Sequence, residues 1–275
     1  MKKLFLIAMV ACAAVILSSC SKDDKNDSSP DKAKKRIVRV IYKDNSKTPS
    51  SQDISYQYDK EGKLIKTVDI YNGSPSTETF SYSANKIASI LIDTKNITYN
   101  IDYLLDSNGR ITQYSQEGDE TSYSETYTYD NNGYVQSVQP QDDDYCLNFL
   151  WGNGNLMNVS GKGKKWEFVY NSDPCPSNID ITSWLSFWPF WPEARFVMFN
   201  RGKISKNLLS SVKWIGYESP VSDKIFRIGE CSYQYEFDSD GYPSKITGNC
   251  NRKYKDEIFS EKYTTTYEIF YEDIK

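Results

Sequence analysis

The side chains able to do chemistry in this 275-residue chain are defined first by an omission, since it contains no histidine. Ser-His-Asp and Cys-His nucleophilic catalysis, His-ligated zinc and imidazole pH switching are excluded together. Carboxylates are plentiful, and two of them about 5–10 Å apart can hydrolyse a glycosidic bond. No stretch of the sequence nominates such a pair, so a carboxylate-dependent hydrolase is the weakest of the functional readings. The run Asp142-Asp143-Asp144 lacks the spaced oxygens and turn glycine of a calcium loop and reads as a solvated loop. Gly152, Gly154, Gly161 and Gly163 are not followed by the helix and Gly-Lys-Ser/Thr of a phosphate-binding loop. No catalytic residue, metal ligand or cofactor is expected, and the chain reads as non-enzymatic.

Four carboxylates do recur at a fixed spacing. Asp59, Asp106, Asp130 and Asp238 each stand three residues before a glycine, as in YQYDKEGKL (56–64), YTYDNNGYV (127–135) and YEFDSDGYP (235–243). The reason is local: an Asp at the first turn position accepts backbone N–H groups two residues on, and a glycine in the left-handed region closes the hairpin loop. Each carboxylate is therefore occupied by its own turn. Gly62, Asn85, Gly109, Gly133 and Gly154 follow one another at 23, 24, 24 and 21 residues, the period of a repeated supersecondary unit. Asn85 is expected to replace glycine because Asn tolerates the left-handed region.

The elements that carry these turns are strands. Tyr56 and Tyr58, Tyr127 and Tyr129, and Tyr233, Tyr235 and Phe237 fall on one face, with Gln57, Thr128, Gln234 and Glu236 on the other. After each turn, apolar residues recur two and five places past the turn residue: Ile87 and Ile90, Ile111 and Tyr114, Val135 and Val138, Leu156 and Val159. Those offsets have opposite parity, so both can be buried only if a bulge or bend intervenes.

The repeat lapses over 176–212, a helical and aromatic insertion in which Trp184, Phe187, Trp188, Phe190 and Trp191 crowd together. The spacing of Ile181, Trp184, Leu185 and Trp188 predicts a short amphipathic helix over 179–187, stopped by Pro189. Two readings stand: the segment is buried as a plug or cap of a curled sheet, or it exposes an aromatic platform, with Trp184, Trp188 and Trp191, that stacks on sugar rings or dips into a membrane interface. Cys231 and Cys250 are expected to form a disulfide, because CSYQYEFDSDGYPSKITGNC folds back about Asp240-Gly241 and sets its ends opposite each other. Tracing the turns puts Cys146 and Cys175 near opposite ends of neighbouring strands, and their pairing is left open.

Lys2 and Lys3 followed by the apolar Leu4 to Leu17 read as a signal peptide over 1–19, too short to span a bilayer. Leu17-Ser18-Ser19-Cys20 resembles the bacterial lipobox, which implies cleavage before Cys20 and a diacylglycerol anchor on its thiol. Residues 20–35 are polar and without aromatics, so the lipidated Cys20 leads into a flexible tether with a reach of roughly 20 Å. The acidic start Ser21 to Asp24 resembles the surface-export tag of Bacteroidetes lipoproteins. A net charge of −4 argues against a nucleic-acid partner.

The units YQYDKEGKLIKT, YTYDNNGYVQSV and YEFDSDGYPSKIT are similar to the Tyr-Asp repeats of Rhs and teneurin shells. Together with the lipobox, WGNGNL (151–156) and RGKISKNL (201–208), the chain resembles a group of Bacteroidetes lipoproteins of unknown function with a porin-like β fold. That resemblance implies an all-β domain over 36–275: an antiparallel up-and-down meander of hairpin repeats curling into a barrel-like sheet, with one short helical insertion packed inside or against it. The Tyr/Thr/Lys-rich strands differ from the apolar outer band of a membrane barrel. The leading expectation is an outer-membrane lipoprotein exposed at the cell surface that binds a glycan or peptide. A structural or accessory subunit of an envelope assembly is the alternative.

Overall fold

The structure, a computed structural model, describes residues 35–274 apart from 119–121, 142–145, 162, 177–180, 183–184, 186–201, 218–223 and 255–259. Cys20, Trp184, Trp188, Trp191 and Asp142 to Asp144, with their expected roles, lie outside the described residues. The strands run β1 (Lys35–Asp44), β2 (Ser51–Tyr58), β3 (Leu64–Tyr71), β4 (Ser74–Tyr82), β5 (Lys86–Ile92) and β6 (Thr98–Leu105). They continue as β7 (Ile111–Glu117), β8 (Ser122–Tyr129), β9 (Val135–Pro140), β10 (Leu147–Gly152) and β11 (Asn155–Gly161). The last five are β12 (Lys164–Pro174), β13 (Asn207–Tyr217), β14 (Ile225–Phe237), β15 (Pro243–Tyr254) and β16 (Ser260–Asp273). Each pairs antiparallel with its sequence neighbours, and β1 also pairs with β16, so the expected meander closes into a barrel.

The Asp-x-x-Gly turns gather at one end of this barrel, called here the Asp–Gly end. In each, the Asp Oδ1 accepts the N–H groups two and four residues on at 2.8–2.9 Å, as Glu61 and Lys63 do with Asp59. Gly62, Gly109, Gly133 and Gly241 close them at φ between 75° and 87°. Asn85 departs from the expectation, because it is not among the positive-φ residues. Its turn is shorter, closed by the Ser83 N–H on the Lys86 carbonyl, and needs no left-handed residue there. At the opposite end Asp93 builds the same loop as the glycine turns, with Asn96 at φ 62° in the glycine's place.

The parity conflict is resolved by bulges. The register slips just past the turn at Leu64, Ile111, Val135, Leu156 and Pro243, one extra residue on the returning strand each time. Both apolar positions then face inward, and Tyr114, Val138 and Val159 are no more than 2% exposed. On β5 the register with β4 runs unbroken, and Ile90 is left on the outer face, 47% exposed.

A bulge takes a carbonyl out of the ladder, and a buried carbonyl needs a donor. It is supplied by the ring at the end of the even-numbered strand alongside. Tyr58 donates to Ile37 O, Tyr82 to Leu64 O, Tyr129 to Ile111 O, Tyr170 to Leu156 O, Tyr235 to Leu209 O and Tyr271 to Pro243 O, all at 2.6–2.8 Å. Trp151 substitutes its indole N–H, 2.7 Å from Val135 O. Strand β6 ends instead in Leu105, beside the one odd strand (β5) whose register carries no bulge.

The inward rows are mostly apolar and aromatic, with a few buried polar residues such as Gln52, which donates to Asp69 at 2.8 Å. Ile101, Tyr103, Ile111, Val159, Leu209 and Ile246 are each at most 2% exposed, so side chains fill the lumen that a porin of this strand number leaves as a channel. The outer face of β14 and β15 is polar, with Glu236 facing Lys245, Gln234 facing Thr247 and Ser232 facing Asn249, while Ile90, Leu150 and Val169 are exposed apolar residues elsewhere on the wall. From the insertion, Ile181, Thr182 and Leu185 are helical and buried, and the inward-facing Tyr233 hydroxyl donates to the Leu185 carbonyl at 3.2 Å. The insertion ends sooner than expected, since β13 begins at Asn207: Leu209 and Val212 supply the partners that Tyr170 and Phe168 require. Cys231 and Cys250 stand opposite one another and are disulfide-bonded, whereas Cys146 and Cys175 are thiols.

Closure is pinned at the Asp–Gly end by Lys35, whose ammonium pairs with Asp238 at 2.8 Å and with Asp240. Burial works to raise the Asp238 carboxyl, but the Lys35 ammonium and the N–H groups of Tyr242 and Asp240 prevail and hold it below 3.8. A depressed folded-state pKa contributes stability above the unfolded value, and that contribution is lost as pH falls through the folded one. The gap in Tm between the parent and Lys35→Met should therefore be open at pH 7 and narrow as pH falls through the lowered Asp238 pKa. Tyr129→Phe should lower stability by about 1–3 kcal/mol in urea unfolding, because it strands the Ile111 carbonyl, while Thr128→Val on the outer face changes it by less than about 0.5.

Candidate functional site

The five strands β12–β16 together with β1 are the longest run of the wall, and their inward residues stack in rows across neighbouring strands. Counting from the end opposite the Asp–Gly turns, the first row is Lys164, Gly216, Arg227 and Tyr254. The second is Trp166, Trp214, Gly229, Arg252 and Glu261. The third runs from Phe168 and Val212 through the Cys231–Cys250 disulfide to Tyr263, and the fourth joins Tyr233, Gly248, Thr265 and Asp44.

Gly216, Gly229 and Gly248 descend like a stair across β13, β14 and β15. Gly229 and Gly248 sit within their strands, where glycine otherwise weakens a sheet, and Gly216 stands one residue from the end of β13. A Cβ at 229 would collide with the Trp214 indole, one at 216 with the Arg227 side chain, and one at 248 with the Thr265 hydroxyl and the Tyr233 ring. The missing side chains leave room for these large neighbours, several of which line a cavity of about 110 Å³. Trp166, Trp214, Tyr254 and Tyr263 make its sides, Arg227 and Arg252 stand near its outer end, and Leu185, Tyr233 and Tyr267 close its inner end.

The charged groups here are locked. Arg252 donates to Glu261 from Nε at 2.8 Å and from its terminal nitrogen at 2.6 Å, and its guanidinium lies 5.3 Å from the Tyr263 ring centre. Burial alone would raise the Glu261 carboxyl, but the Lys47 N–H and Arg252 outweigh it and hold it low. Asp44 follows the same pattern, with burial overcome by bonds from Ser46, Ser50 and Tyr42. Both carboxylates stay ionised and saturated with structural donors, so neither is a proton donor for hydrolysis. Burial lifts the Tyr263 phenol above its ordinary value, which keeps it a neutral hydroxyl.

Thr265 differs from its neighbours. Its side chain is 6% exposed, it lines the cavity, and its hydroxyl makes no hydrogen bond among the described residues. An unmet buried hydroxyl carries a desolvation penalty of about 1–3 kcal/mol.

Sequence reasoning placed the ligand-contact residues at Trp184, Trp188 and Trp191 and missed this cavity. Of that segment the structure brings Leu185 to the inner end. The overlooked signals were the tryptophans within strands and the three glycines sharing the inward parity of Cys231 and Cys250.

The geometry defines a closed antiparallel barrel with a filled lumen and an aromatic cavity at one end. Among the solved structures similar to it are a porin-like protein from Bacteroides uniformis and one from Bacteroides vulgatus. The first is 14% identical at a TM-score of 0.60, with 86% of this chain and 98% of that one covered. The second is 13% identical at a TM-score of 0.54, with 87% and 100% covered. At such identities the likeness is one of fold. No protein-family model and no curated protein matches the chain.

Gly229→Ala should destabilise the barrel by about 1–3 kcal/mol through overpacking and push the Trp214 indole into the cavity. Near-ultraviolet circular dichroism reads the displaced indole, and an unchanged aromatic spectrum would contradict the packing described.

Proposed function

We propose that this is a non-enzymatic cell-envelope lipoprotein, anchored through Cys20, which holds a small ligand in the cavity at one end of its barrel. The observation that carries this reading is the aromatic lining of that cavity, with Trp166, Trp214, Tyr254 and Tyr263 gathered from four strands. Glycan and peptide are the two ligand classes proposed. Trp184, Trp188 and Trp191 belong to the segment of Leu185 and remain proposed contacts.

An accessory-subunit role is favoured by one separate observation. Ile70 on β3 and Ile90 and Ile92 on β5, the strands flanking β4, project from the outer wall and are 40–47% exposed. A stoichiometric partner recovered from native membranes with the parent, and lost with Ile90→Lys, would support it.

The principal reading is tested in two measurements. The parent should take up an alkyne fatty-acid label and partition into the detergent phase of Triton X-114, and Cys20→Ala should do neither. Intrinsic tryptophan emission should shift saturably with a cavity ligand, and the response should fall at least about tenfold in affinity in Trp214→Ala, on the scale of a lost aromatic contact. Label uptake by Cys20→Ala overturns the anchor, and no response to any glycan or peptide overturns the binding role.

A further inference from the structure

We propose that the hairpin turn Asn153-Gly154 is a site of spontaneous covalent modification, and that conversion there loosens the seat of the insertion. Four Asn-Gly pairs occur in the chain, at 72–73, 108–109, 132–133 and 153–154. The reacting residues are the same in each, so the fold decides between them. In this reaction the glycine N–H loses its proton to hydroxide and the nitrogen attacks the neighbouring asparagine Cγ, an intramolecular nucleophile already in place. A Cγ–N bond forms, the Cγ–Nδ2 bond breaks, and ammonia leaves behind a cyclic imide. Water then opens either carbonyl of the imide. One opening gives aspartate; the other gives isoaspartate, with the main chain running through the side-chain carbon. Nothing is oxidised or reduced.

Two of the pairs are sealed. In the Asp-x-x-Gly turns the Gly109 N–H donates to the Asp106 carbonyl and the Gly133 N–H to the Asp130 carbonyl, both at 3.0 Å. The N–H of each preceding asparagine is held by the Asp Oδ1 at 2.9 Å. That nucleophile is released only when the turn opens, which breaks several bonds of about 0.5–1.5 kcal/mol each. The other two pairs are the two-residue connections from β3 to β4 and from β10 to β11. Both positions there take positive φ, 48° and 83° at 72–73, and 51° and 78° at 153–154. Neither glycine N–H has an acceptor among the described residues. Asn72 is half tied, because its Oδ1 accepts the Ser51 N–H at 2.7 Å. The Asn153 residue is exposed, and its carboxamide makes no hydrogen bond among the described residues.

The last residues of the insertion lie against this turn. Lys206 donates its N–H to the Gly154 carbonyl at 3.0 Å, and its side chain crosses Gly154. Ser205 Oγ accepts the Leu156 N–H at 3.1 Å, and the Asn155 and Asn207 side chains bond each other at 3.0 Å. Isoaspartate adds one methylene to the main chain just before Gly154, which displaces the carbonyl that Lys206 uses. Either product also adds a negative charge to the turn.

The full chain in detergent is aged at mildly alkaline pH, with a parallel sample in urea, and its peptides are mapped by mass spectrometry and isoaspartate methylation. The urea sample sets the intrinsic rate of each pair. Relative to it, folded Asn153 should convert at least about tenfold faster than Asn108 and Asn132. Hydrogen exchange at the Lys206 amide should quicken in the aged parent and hold steady in Asn153→Gly, which keeps the turn and lacks the reacting carboxamide. Conversion of Asn108 or Asn132 at the relative rate of Asn153, or an Asn153 that reacts only in urea, overturns the site. Conversion of Asn153 with Lys206 exchange unmoved overturns its effect on the insertion.

Discussion

One bond holds this architecture together: a ring N–H or O–H donated to a carbonyl that a bulge has removed from the sheet. The bulge exists because the repeat carries apolar residues at opposite parity, and only an extra residue can turn both into the lumen. That extra residue orphans a backbone acceptor in the interior, where water cannot reach it. A tyrosine one strand over restores it, as Tyr129 does for Ile111. The exception supports the dependence. Strand β5 has no bulge, its Ile90 stays outside, and Leu105 stands where a ring would. Bulge, inward parity and ring come as a set or not at all.

The filled lumen follows from the same set. Sixteen strands enclose more space than a single layer of aliphatic side chains can occupy. Long aromatic side chains on the inward rows, and a helical segment lowered among them at Leu185, make up the difference. Over β2–β8 the filling also takes in polar side chains, with Gln52, Asp69 and Glu125 buried among the apolar rows. Over β12–β16 two tryptophans, Trp166 and Trp214, join the tyrosines, and Gly216, Gly229 and Gly248 carry no side chain into rows filled by their large neighbours.

Much of the hairpin logic was legible in the sequence. The Asp-x-x-Gly spacing identifies the turns, because the two N–H bonds to Asp59 are made within five residues and need nothing from the rest of the chain. The opposite parity of Ile111 and Tyr114 requires a bulge for the same local reason, and Cys231 faces Cys250 because a hairpin sets them there. Asn85 misled, since its tolerance of the left-handed region does not reveal that its turn is one of two residues. The cavity was hidden for a different reason. Its rows are assembled from six strands, and only register places Trp166 beside Trp214, or Thr265 over Gly248. Tryptophans crowded in sequence at 184–191 drew the eye, while those gathered by pairing left no local mark.

The closing seam between β1 and β16 has a consequence for how the chain acquires its shape. Arg36 bonds Glu272 across that seam, 236 residues away in sequence, whereas every other strand pair joins neighbours in the chain. Hairpins can therefore zip in order as the polypeptide emerges, but the first strand waits for the last. Until then the molecule is an open, curved sheet with two long unsatisfied edges, the form of β structure most prone to pair with another copy. Loop-closure entropy makes that final pairing the slowest of the set. For such a barrel, the hazard lies in the interval before closure, and the rate of one seam decides how long the edges stay open.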